Sequence, residues 1–440
     1  MIGLGLKKLA INAAATLGRQ IGSGLIQLVT LAIIARQFGA EGNGAYALAL
    51  LLPSMLAMFL NLGIGPANVY FLGSRQVSPK QAWQVTLKLS LLISLLGLAL
   101  GALSIIFYAE SWFSGVPPQM LWLALSFFPL IFIYTAIGNI LQGLQEFKQF
   151  NAILIVQPIV NLALVLTAIF FGFIDIFYIL ICYLMSVVLN FLLALRLLNK
   201  VLKVKSGPNK EHYTKHLMSY GYKAHLSNIL AFVNNRADML LLSYFIGPAA
   251  VGVYIIVISL TEKLWLLSSA ISTVLVPRLS ELSSDEEKRN LLTPLIARWV
   301  LWVTFSGAVF LAQVSKFFLQ LVFGEEFIVG HNVILWLLPG VVLGACSMVL
   351  ANDMAARGRP DLNLATTWIS VSINVIGNII LIPRFGIEGA AAATSFAYIV
   401  NMLMRLTMHS HFTGVKFYKN LIITKEDFIL LKKLITKSPL

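Results

Sequence analysis

Twelve apolar stretches follow one another along this chain, and each has at least 20 residues. A helix of about 20 residues crosses the hydrocarbon core of a bilayer, which is about 30 Å thick. Charged residues make up 11% of the chain, against about 25% in globular proteins. The sequence therefore predicts an all-α integral membrane protein with twelve transmembrane helices. The predicted spans are residues 12–36, 45–72, 83–108, 119–143, 151–173, 175–197, 217–246, 250–276, 297–323, 332–356, 363–382 and 388–411.

The distribution of basic residues predicts the orientation of the chain. With the N-terminus inside, 23 of the 32 Lys and Arg residues fall in inside segments, three fall outside and six lie within spans. Inside segments of membrane proteins carry the excess of basic residues, so both termini are predicted to be cytoplasmic. The net charge of +14 then faces anionic membrane lipids and gives no reason to expect nucleic acid. We expect a multi-pass protein of the cytoplasmic (inner) membrane.

The ends and loops of the chain add two expectations. Only six residues precede Lys7 and Lys8, so no secretory signal is expected and the first span should be retained. The longest outside loop has about ten residues, near Glu110–Gln119. It leaves no room for a catalytic domain outside the membrane.

An internal repeat predicts two halves. The segment FGAEGNGAY (38–46) follows the first span, and IGPAAVGVY (246–254) follows the seventh. Two glycines and a tyrosine match between them at one constant offset of 208. Because six spans separate the two segments, the halves share one orientation and are parallel repeats. The predicted domains are an N-terminal six-helix lobe (1–198), a basic cytoplasmic linker (199–216), a C-terminal six-helix lobe (217–411) and a cytoplasmic interfacial tail (412–440).

The seventh predicted span is unusually polar. Its segment is SYGYKAHLSNILAFVNNRADMLLLSYFIG (219–247). Each charge at mid-span costs about 2.5–3.5 kcal/mol, and each Leu or Ile returns only about 0.3–0.6 kcal/mol. Arg236 and Asp238 therefore cancel roughly ten apolar residues, and this helix needs partners with a wet or charged centre. On a helical wheel, the helix is expected to have one lipid face and one polar face that meets protein or water. The lipid face is formed by the apolar arc of Leu226, Ile229, Leu230, Val233, Ala237, Leu240 and Leu241, and outside this arc lie His225, Asn228, Asn234, Asn235, Arg236 and Asp238.

Charges at the centre of a span are candidate functional residues. Arg236 and Asp238 are two residues apart and do not face each other on a helix, so each is expected to meet another helix. Glu262 and Lys263 lie near the middle of the eighth span, where at least one should point into a cavity. The structural alternative is that these charges form ion pairs within the bundle.

Other charges lie closer to the inner ends of spans. Arg19, in the inner half of the first span, either lines a cavity or extends to the cytoplasmic interface. Lys88, Lys223 and Arg405 lie nearer the inner edge, where extension to the interface is typical. Asp353 ends the tenth span close to Arg357 and Arg359, which predicts a salt bridge at the helix end.

A polar stripe lies on one face of the eleventh predicted span. Such a stripe is typical of hydrogen bonds between helices. It consists of Asn363, Thr367, Ser370, Asn374 and Asn378.

The sequence carries no motif of a known class of enzyme. It has no phosphate-binding loop, HExxH motif, Cys/His cluster or nucleophile elbow. We therefore expect that the protein is not an enzyme and binds no cofactor or metal. Cys182 and Cys346 lie in apolar runs, so no disulfide is predicted.

Several segments, in order along nearly the whole chain, resemble the polysaccharide-repeat-unit (O-antigen) flippases. This family belongs to the multidrug/oligosaccharidyl-lipid/polysaccharide (MOP) exporter superfamily. The segments are AIIARQFGAEGNGAYAL (32–48), NLGIGPANVYFLGSR (61–75), NILQGLQEFKQFN (139–151), VNNRADMLLLSYFIGPAAVGVY (233–254), VLVPRLSEL (274–282), and ARGRPDLN with IPRFGIEGAAAATS (356–395).

The resemblance implies a fold, a mechanism and a cargo. The fold would be two six-helix lobes around a central cavity that opens to alternate sides of the membrane. The cargo would be a polyprenyl-diphosphate-linked oligosaccharide. Such a diphosphate needs Arg or Lys once water is removed; the candidates are Arg236, Lys263, Arg19 and Lys223. Coupling to H⁺ or Na⁺ would involve Asp238 and Glu262. Membrane lipids and polysaccharide polymerase or assembly proteins are the expected partners.

Three other functions compete with this one. A cation-coupled multidrug antiporter of the same superfamily would favour an acidic cavity, whereas the in-span cations here outnumber Asp238, Glu262 and Asp353. A membrane glycosyltransferase or polymerase would need large outside loops, which the predicted topology lacks. A scaffold for envelope assembly without transport would tolerate loss of Arg236.

Overall fold

A computed structural model describes residues 2–266, 268–269, 286–423 and 427. The side chains of residues 2–17, 223, 224, 227, 288 and 360 are not described. Segment 274–282 and the tail helix expected near 428–435 therefore lie outside the described residues. No strand occurs in the described part of the chain.

Long α-helices make up almost all of the described chain. Short 3₁₀ helices cover Glu262–Trp265, Glu325–Phe327 and Phe417–Asn420. The α-helices are α1 (Ile2–Leu60), α2 (Ile64–Gly73), α3 (Pro79–Trp112), α4 (Pro118–Ser126), α5 (Phe128–Gly143), α6 (Phe147–Phe170), α7 (Ile176–Val204), α8 (Tyr213–Phe245), α9 (Pro248–Thr261), α10 (Glu286–Val322), α11 (Gly330–Ala356) and α12 (Pro360–Thr413).

Eight of the described helices are long and apolar enough to cross a membrane, or nine if α4 and α5 form one bent span. Two of them are far longer than one crossing: the stretch Gly18–Leu60 of α1 has 43 residues, and the stretch Asp361–Thr413 of α12 has 53. At 1.5 Å per residue these are about 65 and 80 Å long, against a core of about 30 Å. Dividing each of them in two and adding the polar α8 would give twelve spans, and that count stays a prediction.

Both long helices are interrupted at a glycine in a conformation that L side chains rarely adopt. Gly39 in α1 has φ 66° and ψ −172°, and Gly386 in α12 has φ 59° and ψ −137°. Around Gly39 the backbone N–H of Ala40 donates to the Glu326 carboxylate at 2.9 Å. A Cβ at position 39 would lie 2.9 Å from the same carboxylate. Glycine at position 39 therefore allows both the positive φ and the close approach of the Glu326 carboxylate.

The two repeated segments pack against each other. Asn43 donates a hydrogen bond to the carbonyl of Gly252 at 2.9 Å. A Cβ on Gly44 would overlap the carbonyl of Pro248, and a Cβ on Gly252 would overlap that of Ala40. Gly247, the counterpart of Gly39, also has a positive φ, of 121°. The matched glycines Gly39 and Gly247 thus both have a positive φ.

The described residues form two compact units. The first comprises those of 1–256 together with 320–327, and the second comprises those of 257–319 together with 328–440. Helix α8 groups with the first unit, where it contacts α1, α2 and α3. In the second unit, α11 packs along α12. A compact unit is defined by its contacts and a lobe by its repeat, so the lobe boundaries at 198 and 217 stay predictions.

Candidate functional site

Helix α8 carries the candidate site, and its surroundings differ from those expected of a helix with one lipid face. Leu230 is 3% exposed and Leu241 is 9% exposed, although both lie in the predicted apolar arc. Leu226, in the same arc, is 39% exposed. The expectation of a continuous lipid face is therefore wrong, because part of the arc packs against protein.

The two charges of α8 have different environments. Asp238 is 2% exposed. Its Oδ2 atom accepts a hydrogen bond from the Tyr254 hydroxyl at 2.7 Å, and its Oδ1 atom accepts one from the Met239 N–H at 2.8 Å. Arg236 is half-buried, and its guanidinium forms no hydrogen bond or ion pair with any described residue. Arg236 and Asp238 do not form an ion pair with each other, so the Arg236 guanidinium can bind an anionic ligand.

Tyr254 belongs to the site although the sequence marks it only as a repeat position. It follows the Gly247 turn at the start of α9 and is fully buried. The turn brings α9 back along α8, so that residues 16 apart in the chain share a hydrogen bond. A recurring tyrosine next to a polar span was the only sequence signal for this contact.

Arg19 is half-buried in α1, and its Nε atom has no hydrogen-bond partner among the described residues. It lies in the first unit, as do Arg236 and Asp238. Lys223 lies in α8, and its side chain is outside the described residues.

Glu262 and Lys263 lie in the second unit. They occupy the first turn after α9, which is a 3₁₀ helix, and both side chains are half-buried. The turn is fixed by Trp265, whose indole N–H donates to the Val341 carbonyl at 2.8 Å and whose ring lies 5.4 Å from that of Tyr398. Short 3₁₀ segments within a helix often mark functional hinges.

The predicted salt bridge at Asp353 is confirmed. This carboxylate is fully buried and binds Arg357 Nε at 2.8 Å and His409 Nε2 at 3.0 Å. Arg289 lies 3.8 Å from its other oxygen. Arg359 instead pairs with Asp361 at 2.8 Å. This buried cluster holds α10, α11 and α12 together within the second unit.

The polar stripe of the eleventh predicted span also forms the expected hydrogen bonds. Asn374 donates to the Thr394 hydroxyl at 3.0 Å, and Ser370 donates to the Ala397 carbonyl at 3.1 Å. These bonds join the two parts of α12 on either side of Gly386. Cys182 and Cys346 are free thiols, as predicted. Among the described residues, no group of three or more His, Cys, Asp and Glu side chains could hold a metal ion.

A protein family matches more than half of this chain. Residues 9–283 match the family described as "Polysaccharide biosynthesis protein". The chain belongs to that family. The match includes α8, α9 and both repeated segments, and hence Arg19, Arg236, Asp238, Glu262 and Lys263.

Relatives in this family carry related names. The chain is 29% identical over 208 residues to the "Probable low-salt glycan biosynthesis flippase" of Haloferax volcanii, which covers 46% of this chain and 43% of that protein. It is 21% identical over 179 residues to a capsular polysaccharide biosynthesis protein of Staphylococcus aureus, with 40% of this chain and 45% of that protein covered. The matched region thus spans less than half the length of each of these relatives.

Solved structures identify the fold. The lipid II flippase MurJ, in an inward closed conformation, matches with a TM-score of 0.76 at 17% identity, over 98% of this chain and 93% of that one. An inward-facing multidrug resistance MATE family transporter of the MOP superfamily matches with a TM-score of 0.67 at 14% identity, over 89% and 94%. The all-α integral membrane fold expected from the sequence is confirmed, and it is the fold of MOP-superfamily transporters.

Proposed function

We propose that this chain is a flippase, not an enzyme. Its cargo is a polyprenyl-diphosphate-linked oligosaccharide repeat unit, which it moves across the cytoplasmic membrane by alternating access. Membership of the polysaccharide biosynthesis family, a relative named as a glycan biosynthesis flippase and the likeness to a lipid II flippase support this proposal. The observation that carries the proposal is the environment of Arg236, at the centre of a predicted span. Its guanidinium is half-buried and has no partner among the described residues.

The diphosphate supplies a partner for Arg236, which has none among the described residues. A guanidinium binds phosphate oxygens in a bidentate manner, and such charge-assisted bonds are about twice as strong as neutral ones. Arg19, whose Nε is also without a described partner, contributes a second cation. Lys263 and Lys223 complete the proposed set of cations. Membrane lipids surround the protein, and polysaccharide polymerase or assembly proteins receive the translocated unit.

Asp238 is the proposed coupling residue, with Glu262 as a second acidic group for H⁺ or Na⁺. The Asp238 carboxylate accepts a proton-donating bond from Tyr254. A proton or a cation bound at the same oxygen would compete with that bond and so alter the packing of α8 against α9. The hydrogen bond between Tyr254 and Asp238 would in this way couple ion binding to movement of the two helices.

The test compares three variants in a host that lacks its own repeat-unit flippase. Arg236→Ala and Asp238→Asn should abolish surface polysaccharide while the protein persists in the membrane at normal levels. Arg236→Lys should retain part of the activity, because the charge remains without the bidentate geometry. Lys88→Ala is the control, since Lys88 is an exposed cation in a predicted span. Wild-type polysaccharide from Arg236→Ala would refute the proposal and favour a scaffold.

A cation-coupled multidrug antiporter is the second candidate, favoured by the likeness to MATE transporters. It predicts that cells expressing the chain resist cationic dyes and that Asp238→Asn removes this resistance. The half-buried cations Arg19, Arg236 and Lys263 oppose it, because they repel a cationic cargo. Measuring dye efflux and polysaccharide export in the same strain separates the two functions.

We also propose that both termini are cytoplasmic. The test uses a chain in which Cys182 and Cys346 are replaced by Ala. A cysteine placed at Ser114, between α3 and α4, should react with a membrane-impermeant maleimide on intact cells. A cysteine at Ser206, in the exposed linker after α7, should react only after lysis. The reverse pattern would overturn the orientation.

A further inference from the structure

A cavity of about 660 Å³ opens at the junction of α2 and α8, far along the chain from Arg236 and wholly within the first unit. It lies where the second predicted span ends and the seventh begins, and the predicted topology puts both of these ends on the cytoplasmic side. The cavity is lined by Phe71, His212, Lys215, His216, Ser219 and Tyr220.

The polar wall of the cavity consists of cationic and hydrogen-bonding groups. Lys215 is exposed and forms no ion pair with a described residue. His216 lies one residue further on, with its Nδ1 atom 3.2 Å from the His212 carbonyl oxygen. That oxygen can only accept, so Nδ1 carries a hydrogen, and it is the imidazolium form, in which both ring nitrogens donate, that can bind an anion through Nε2. The lining residues include no carboxylate, which favours an anionic ligand.

The aromatic residues of the lining are held by ring contacts. The ring of Tyr220 stacks on that of Tyr70, with centroids 4.6 Å apart and an angle of 12° between planes. Phe71 lies edge-on to Tyr220 at 5.8 Å. The Lys210 ammonium lies 4.5 Å from the centre of the Phe71 ring and donates to Gln76 at 2.7 Å, so its charge is already engaged. Two aromatic faces beside cations suit a ligand that joins a phosphate to an apolar chain or a sugar.

The first turn of α8 is held in place beneath this cavity. The buried Tyr213 hydroxyl donates to Asn68 at 2.9 Å, and Asn68 donates to the Thr86 hydroxyl at 2.8 Å. Burial raises the pKa of Tyr213, so it remains a neutral donor. Gly221 approaches the backbone of the turn between α1 and α2 so closely that a Cβ there would lie 2.6 Å from the Leu62 carbonyl oxygen. The cavity is therefore preorganised by three helices.

We propose that this cavity binds the phosphate of a membrane lipid. Lys215 and His216 contact the phosphate, and Tyr220 contacts the adjoining chain or sugar. A metal is not the proposed ligand, since the lining offers two imidazoles and no third metal-binding side chain. The phosphate can belong to a polyprenyl diphosphate or to an anionic phospholipid. The binding site holds for either source and does not depend on Arg236.

The test measures binding to the purified full-length protein in detergent by isothermal titration calorimetry. The probes are geranyl diphosphate, dioctanoyl phosphatidylglycerol and, as a zwitterionic reference, dioctanoyl phosphatidylcholine. The Lys215→Ala/His216→Ala double variant should weaken binding of at least one anionic probe by about tenfold or more, since it removes the charged hydrogen bonds to the phosphate. The probe that loses affinity identifies the source of the phosphate.

Two controls keep the result specific. Lys203→Ala removes an exposed lysine at the same predicted membrane surface, outside the cavity, and should change the dissociation constant less than twofold. All measurements are repeated in the Arg236→Ala chain, where the loss caused by the double variant should be the same. Failure of transport by Arg236→Ala and failure of this cavity to bind are thus independent results.

Three outcomes would overturn the proposal. They are no binding of either anionic probe to the wild type, unchanged binding by the double variant, and an equal loss from Lys203→Ala. Because Lys215 and His216 are exposed, the double variant should fold, which its elution volume and melting temperature will verify. Tyr220→Ala should weaken geranyl diphosphate more than inorganic diphosphate if the ring contacts the chain.

Discussion

Helices α8 and α12 are both rich in polar residues, yet they use them differently. In α12, Asn374 and Ser370 bond to the other part of the same helix across the Gly386 bend. Arg405 donates to the hydroxyls of Thr366, Thr367 and Ser347 at 3.0–3.3 Å. In α8, Arg236 has no such partner among the described residues.

The difference shows that the polarity of a membrane span is weak evidence of function by itself. A buried polar group in a membrane needs a partner, and in α12 the chain provides that partner. Polar residues of this kind hold the fold together. A half-buried charge such as Arg236, which has no partner in the described part of the chain, is better explained by a ligand. The contrast predicts a ranking of stability losses, with the largest in the second unit and the smallest at Arg236.

Asp353→Ala should have the largest effect. It leaves Arg357, His409 and Arg289 buried without their carboxylate, and breaking a buried ion pair costs about 3–5 kcal/mol. The measurement is the free energy of unfolding in mixed micelles titrated with dodecyl sulfate. Asp361→Ala, which breaks an exposed pair, is the control and should cost at most about 1 kcal/mol. Equal losses from the two variants would contradict a structural role for the buried cluster.

Arg405→Ala should come next, with a loss of about 2–3 kcal/mol, because it removes charged hydrogen bonds to hydroxyl groups. Transport per folded molecule should stay near that of the wild type. The experiment determines unfolding free energy and polysaccharide export on the same preparations. A stable but inactive Arg405→Ala protein would show that Arg405, like Arg236, acts in transport and does not stabilise the fold. It would contradict the difference between the two helices.

Asn374→Ala should lower stability by about 1 kcal/mol, the usual net contribution of one hydrogen bond. Thr394→Val removes the other partner, and the double variant should lose less than the sum of the single losses because the residues form one bond. Unfolding free energies of the four proteins give this interaction energy. Strict additivity would show that the two side chains do not interact.

Arg236→Ala should have the smallest effect on stability, less than about 0.5 kcal/mol, as for substitutions away from packed or paired positions. Its effect on export should nevertheless be the greatest of the four. Adding geranyl diphosphate should raise the melting temperature of the wild type more than that of Arg236→Ala, since a ligand stabilises the state that binds it. A destabilised Arg236→Ala protein would indicate a structural partner for Arg236 after all.

The sequence predicts the local features of this chain well. The apolar stretches predict its membrane helices, and the offset of 208 predicts equivalent turns at Gly39 and Gly247. The four-residue spacing of Asp353 and Arg357 predicts their ion pair. Each of these features depends on residues close in the chain or on a repeated segment.

Contacts between distant residues were beyond sequence reasoning. Nothing in the local pattern indicates that His409 reaches Asp353, 56 residues away. The break at Leu62–Gly63, inside the predicted span 45–72, follows from the close approach of Gly221. The cavity beside His216 requires α2 and α8 to meet, although 139 residues separate Gly73 from Tyr213.

The contact between Gly44 and Gly252 has a consequence for how such a chain diverges. Each glycine leaves space that is filled by backbone from the other repeat, so a bulkier residue at either position displaces both turns together. Substitutions at the two glycines are therefore coupled, even though the flanking helices of the two repeats have diverged in sequence. Among descendants of this chain, the pair should covary as a single character, and a replacement at one copy should be tolerated only alongside a compensating change at the other.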